Sequence, residues 1–198
     1  MALRSVPCGS LIALVRAHLD TAEDAGTAAL VRELRAARAR GYLTRPELVA
    51  VCRWKSARAI HHIRANTPAV VRAATGAALQ ARGERQRLAA LTGLKGVSVA
   101  MASALLTLID PRRYGVIDIR VWQLLHRIGS VTGKASGVGF NFDNWSQFLG
   151  VIRPIARRLG VTARDVERTL FAVHKRYQRG TLYGRSAGGV SSAGRGRS

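Results

Sequence analysis

Leu91-Thr92-Gly93-Leu94-Lys95-Gly96-Val97-Ser98-Val99-Ala100-Met101-Ala102 is the stretch whose reading decides the fold. Its glycines set a tight turn between two apolar, helix-forming segments, so the spacing predicts a helical hairpin over residues 86–109. A short turn that opens a helix presents free backbone amides at the positive end of the helix dipole, an anion site made from main chain alone. Lys95 and Ser98 would add side-chain donors to the amides of Gly96, Val97 and Ser98. An ordinary αα-hairpin carries the same glycine and apolar pattern, so the turn fixes local architecture and leaves its ligand open.

Outward from the hairpin, helix signals recur and strand signals barely occur, which predicts an all-α fold. Asp20 with Glu23, Thr44 with Glu47, and Thr162 with Asp165 match the spacing of a capping box, and Thr67-Pro68 matches a helix start with proline in the first turn. Helices are expected over 9–19, 25–40, 46–64, 68–81, 84–93, 98–109, 118–128, 144–159 and 163–177. Apolar residues follow the helical period in most of them, as at Leu48, Cys52, Ala59 and Ile63. Residues 1–178 read as one domain and 179–198, rich in Gly, Ser and Arg, as a disordered tail.

The chain holds 198 residues with 32 Lys+Arg against 11 Asp+Glu, a formal net charge of +21. Residues 180–198 contribute only Arg185, Arg195 and Arg197 to that total, so the body is itself basic. Such a field points to a polyanionic partner, nucleic acid first, with an acidic membrane surface as a competitor. No apolar run reaches the ~18–20 residues that cross a bilayer, so no membrane partner is expected. Cys8 and Cys52 cannot build a disulfide framework, and the N-terminus lacks a signal-peptide pattern, which together predict a cytoplasmic, nucleoid-associated protein.

Several chemistries are excluded by spacing. Gly129 to Lys134 falls one residue short of a phosphate-binding loop, has Ala135 where Ser or Thr is needed, and follows no strand, so no nucleotide cofactor is expected. No HExxH pair, cysteine cluster or GxSxG occurs, and His61 and His62, adjacent on a helix, would diverge by about 100°. No metal site or iron–sulfur cluster is expected.

The eleven acids are few enough to take in turn. Asp20, Glu23, Asp24, Glu47, Asp143 and Asp165 sit at helix starts, Asp110 at a helix end, and Glu33, Glu84 and Glu167 on polar faces as solvated partners of arginines. Asp118 lies in Val116-Ile117-Asp118-Ile119-Arg120-Val121-Trp122, an apolar setting for a charge. It is a helix cap, a functional carboxylate or both. Trp54, Arg58 and His61 fall at i, i+4 and i+7 of the expected helix 46–64, beside Lys55, a stripe suited either to packing or to base stacking with phosphate contact. Trp122 reads as core, and Arg153 to Arg158 as a solvated basic face.

Leu94-Lys95-Gly96-Val97-Ser98, then Ala102, then Pro111-Arg112-Arg113-Tyr114-Gly115-Val116-Ile117-Asp118-Ile119-Arg120 resembles the signature of the helix-hairpin-helix DNA glycosylase superfamily, over about residues 91–122. The resemblance implies a two-lobed helical fold whose hairpin amides hold duplex backbone, often with a monovalent cation at hairpin carbonyls. It further implies flipping of a damaged or modified base and hydrolysis of its N-glycosidic bond, with Asp118 as the catalytic carboxylate. Lys95, Gly96, Val97, Ser98 and Arg120, with Trp54, Lys55 and Arg58, are the DNA-binding candidates. Ser98 replaces the second hairpin glycine, and Ala100 stands where bifunctional members carry a Schiff-base lysine, so the resemblance implies base loss to water alone. Arg120 replaces a frequent histidine. A non-catalytic hairpin DNA-binding protein and an RNA-binding or ribosome-associated protein are the competing readings.

Overall fold

A computed structural model describes residues 10–177, and among them it contains ten α-helices, one 3-10 turn and no strand. The helices are α1 (Leu11–His18), α2 (Ala25–Arg40), α3 (Arg45–Lys55), α4 (Ile60–Arg64), α5 (Pro68–Gln80), α6 (Glu84–Thr92), α7 (Val99–Ile109), α8 (Ile119–Arg127), α9 (Phe142–Leu159) and α10 (Ala163–Tyr177). The all-α expectation holds. Cys8 and the expected tail, 179–198, lie outside the described residues.

Caps set most boundaries. Thr44 and Glu47 form a full capping box, Thr67 accepts from the Val70 amide ahead of Pro68, and Thr162 and Asp165 bond reciprocally at 3.0 Å. The Asp20–Glu23 box does not form. Asp24 caps α2 through the Thr27 amide, Asp20 closes a local turn on the Ala22 amide, and Glu23 is drawn away by arginines of α10. A carboxylate three residues along caps a helix only if no stronger cation competes for it.

The expected helix 46–64 is broken. Ser56 adopts extended backbone (φ −172°, ψ 116°), α3 ends there, and a 3-10 turn over Ala57–Ala59 leads into α4. Trp54 therefore shares no helix face with Arg58 and His61. The imidazoles of His61 and His62, expected to diverge, instead lie 3.7 Å apart by ring centroid.

At the centre lies α7, Val-Ala-Met-Ala-Ser-Ala-Leu-Leu-Thr-Leu-Ile, buried from Met101 to Ile109. A helix apolar on all sides belongs in a core, and its two hydroxyls are absorbed by main chain: Ser103 donates to the Ala100 carbonyl at 2.8 Å and Thr107 to that of Ser103 at 2.7 Å. Helices α2 to α7 pack mainly among themselves, while α1, α8 and α9 pack on α10, with α6 touching α9. Buried apolar side chains from all ten helices form one cluster, in which Trp122, Trp145 and Phe148 are the largest.

The loop Gly129–Asn141 presents carbonyls inward. Those of Gly133, Lys134 and Ser136 face His126 Nε2, Trp122 Nε1 and Gln123 Nε2 of α8, so the lookalike of a phosphate loop offers oxygens there, the wrong polarity for an anion.

Candidate active site

The segment leading to Asp118 is held from both sides. Ser103 Oγ on α7 accepts from the Ile117 amide at 3.1 Å, and Glu167 Oε2 on α10 accepts from the Val116 amide at 3.3 Å. The carbonyls of Pro111 and Arg112 accept from the Arg164 and Ala163 amides at the start of α10. Gly115 is the contact point: a Cβ there would lie 2.8 Å from both Glu167 Cβ and Ile152 Cδ1, so no side chain fits.

Asp118 is the N-cap of α8. One oxygen accepts from the Val121 amide at 3.0 Å, and the other stands 4.0 Å from Lys55 Nζ. Cap and cleft residue prove compatible, because the same side chain lines a cleft of about 470 Å³ between the end of α3, the start of α8 and α10. Trp54 stands in its wall, half-buried, with Nε1 donating to Thr27 Oγ1 at 2.8 Å and the Arg164 guanidinium 5.4 Å above its ring.

The back of the cleft is a charge network that the sequence concealed. Arg164 reaches Glu23 at 2.9 Å and Glu167 at 2.5 Å, and Arg168 reaches Glu23 at 3.1 Å. Glu167, expected as a solvated face, is 3% exposed. Burial pushes its carboxyl up from the ordinary value, against the pull of Arg164 and the Val116 amide. Glu84 is likewise no solvated partner: it receives Arg87, Arg113, Arg153 and the Tyr114 hydroxyl, all within 3.0 Å. Burial works against ionisation there, but Arg153, Arg87 and Tyr114 outweigh it and hold the carboxyl below its usual range. An i, i+3 Glu/Arg pattern looks the same in sequence whether its face meets water or protein.

The hairpin forms as a turn between α6 and α7, with Gly96 at φ +80°. A Cβ on Gly96 would meet His62 Cβ at 2.8 Å and the Ile63 amide nitrogen at 3.2 Å, so the turn sits directly on α4. Asn66, 4% exposed, locks this contact. Its Oδ1 accepts from the Lys95 amide at 2.9 Å while Nδ2 donates to the Lys95 carbonyl at 3.0 Å and to the Ile63 carbonyl at 2.9 Å. In sequence Asn66 is only a lone amide two residues past the expected helix 46–64.

Three of the turn's expected features shift. The Val97 amide closes the turn on the Leu94 carbonyl at 3.1 Å, which removes it from the anion donors. The amides of Gly96 and Ser98 have no acceptor among the described residues, and Ser98 Oγ caps α7 through the Met101 amide. The Leu94 and Lys95 carbonyls each accept one hydrogen bond, from the Val97 amide and from Asn66 Nδ2, which leaves each a single lone pair for a cation.

Trp54, Lys55 and Asp118 thus meet in the cleft, whereas Lys95, Gly96, Val97 and Ser98 form a separate turn. Arg58 is exposed in the 3-10 turn, next in sequence to Ala59, whose carbonyl is 3.4 Å from where a Gly96 Cβ would be. Arg120 follows Asp118 at the start of α8, its guanidinium 5.7 Å from the Phe171 ring. No family model, curated protein or solved structure matches the chain.

Proposed function

We propose that the chain is a monofunctional DNA N-glycosylase, which binds duplex DNA by the hairpin turn, flips a damaged or modified base into the cleft and hydrolyses its N-glycosidic bond. The observation that carries this reading is the disposition of cleft carboxylates. Glu23 and Glu167 are bound by arginines, and Asp20 and Asp24 by the amides of Ala22 and Thr27; Asp118 alone pairs a cap with an oxygen beside the cleft's lysine. Departure of a base leaves oxocarbenium charge on the sugar, and a fixed carboxylate stabilises that charge and orients the attacking water. The hydrogen bonds from Val116 and Ile117 hold the main chain that aims it.

Exposed Lys95 and Arg58, with the unbonded amides of Gly96 and Ser98, suit a phosphate at the turn. Ala100 leaves the first turn of α7 without an amine, so base loss by water is expected and no borohydride-trapped adduct. The test is base release from duplexes carrying oxidised, alkylated and mismatched bases, with alkali cleavage of abasic sites, comparing wild type and Asp118→Asn. Asparagine keeps the cap, so the substitution removes charge with little loss of fold. A fall of at least about a hundredfold, some 2.7 kcal/mol of transition-state stabilisation, is expected. The Val121 hydrogen bond favours a second reading, a non-catalytic DNA-binding protein in which Asp118 is a cap only; it predicts salt-dependent duplex binding by both proteins and no release by either.

A further inference from the structure

A second cavity of about 630 Å³, which shares no lining residue with the Asp118 cleft, is lined by Asp110, Arg112 and Arg113 of the loop before Asp118 and by one face of α9. Its walls hold five guanidiniums, those of Arg38, Arg112, Arg113, Arg153 and Arg157, against two carboxylates, Glu84 and Asp110. Glu84 fixes Arg113 and Arg153 at 3.0 and 2.9 Å, and Arg153 Nε also donates to the Arg113 carbonyl at 2.8 Å. Those two are pre-positioned side chains and not freely solvated ones, which corrects the expectation for Arg153. Arg38 pairs with Asp110 at 3.5 Å, while Arg112 and Arg157, both exposed, have no carboxylate partner among the described residues.

Five like charges in one groove repel unless an anion joins them, and two carboxylates leave three charges over. Guanidinium forks match phosphate oxygens with paired hydrogen bonds. Ser146, Gly150, Arg153, Pro154 and Arg157 recur along one face of α9 and span roughly 16 Å at the helical rise, longer than one phosphate. Gly150 leaves the floor bare: a Cβ there meets nothing within 4 Å.

We infer that this groove is a second nucleic-acid site, which grips the phosphodiester backbone of DNA independently of the Asp118 cleft and of any base chemistry. Binding of the full chain to a short fluorescein-labelled duplex, followed by anisotropy across a salt series, tests it. Gly150→Glu places a carboxylate in the groove and Gly150→Gln an uncharged group of like size, both better helix formers than glycine. Arg35→Gln, on an exposed stretch of α2, makes the same change in net charge elsewhere.

Gly150→Glu should weaken duplex binding at least about tenfold at low salt and lower the slope of log affinity against log salt by about one. Gly150→Gln should stay within about threefold of wild type and Arg35→Gln within about twofold, against the same salt-dependent baseline. Equal losses from Gly150→Glu and Arg35→Gln would make the effect one of net charge and overturn the inference. So would sodium triphosphate binding that Gly150→Glu abolishes while duplex binding stays unchanged, since the ligand would then be a free polyphosphate. None of these readouts depends on base release, so failure of the glycosylase reading leaves this test intact.

Discussion

The Asp118 cleft and the arginine groove draw on the same loop, residues 110–118, yet they are opposite in charge. Five of the chain's eleven Asp and Glu residues, Asp20, Glu23, Asp24, Asp118 and Glu167, line the cleft against three cations, Lys55, Arg164 and Arg168, whereas the groove has five arginines against two carboxylates. In a chain of net charge +21, acids are scarce, and their gathering at one cavity shows more than the overall field does. Positive charge is general to this surface and attracts a polyanion from any side. Negative charge is local, and under the proposed function the cleft that gathers it is where a developing cation would be stabilised, by Asp118.

The close packing of Gly115, in the loop that supplies lining residues to both cavities, gives the largest expected effect. Gly115→Ala forces a methyl against Glu167 and Ile152 and should cost about 3 kcal/mol in urea unfolding. A loss under about 1 kcal/mol would mean that close packing at Gly115 does not hold the loop.

Glu84→Ala should act on the groove side alone, costing about 2 kcal/mol, below the figure for a fully buried pair because the carboxylate is partly exposed. Duplex affinity should fall as Arg113 and Arg153 lose their anchor, while the Asp118 cleft keeps its shape. Equal loss of base release per bound duplex would erase the distinction between the two cavities. Asn66→Ala touches neither cavity and leaves two partly buried Lys95 main-chain groups unpaired, which should cost about 1–2 kcal/mol and weaken DNA binding through the hairpin.

The smallest effect separates the regions by pH. His174 on α10 is fully buried, with neither ring nitrogen hydrogen-bonded, and burial together with Arg120 lowers its pKa against the opposing pull of Asp118. The unfolded chain therefore binds the proton more readily, and stability should decline as pH falls below the ordinary histidine value of 6.5. The depressed carboxyl of Glu84 gives stability that is present above 4.5 and lost below it, as pH falls through its folded value. His174→Phe should flatten the upper decline and leave the lower one, as read by thermal melts across that range.

Much of the fold was legible because helix starts are local. Ser, Thr, Asp and Asn caps with their partners three residues on mark boundaries in any tertiary setting, and nearly every expected helix is present within a few residues. The break at Ser56 was not legible, since the apolar period runs on through Ala59 and Ile63 while the backbone turns so that α4 can meet the hairpin. At the site, Asp118 stood out as a charge among apolar residues. Glu167, Glu84 and Asn66 did not, because each owes its role to partners 29 to 51 residues away or more. Val97 was misread for a similar reason: its amide is spent on closing the turn.

The most direct measurement is the single-turnover rate of base release by wild type and Asp118→Asn on the best duplex from the damage panel, at protein concentrations that saturate binding. Equal duplex affinity and matching unfolding curves are expected for the two proteins, with a rate lower by at least about a hundredfold in the variant. Release at an unchanged rate would contradict the catalytic role and leave Asp118 as the cap of α8 alone.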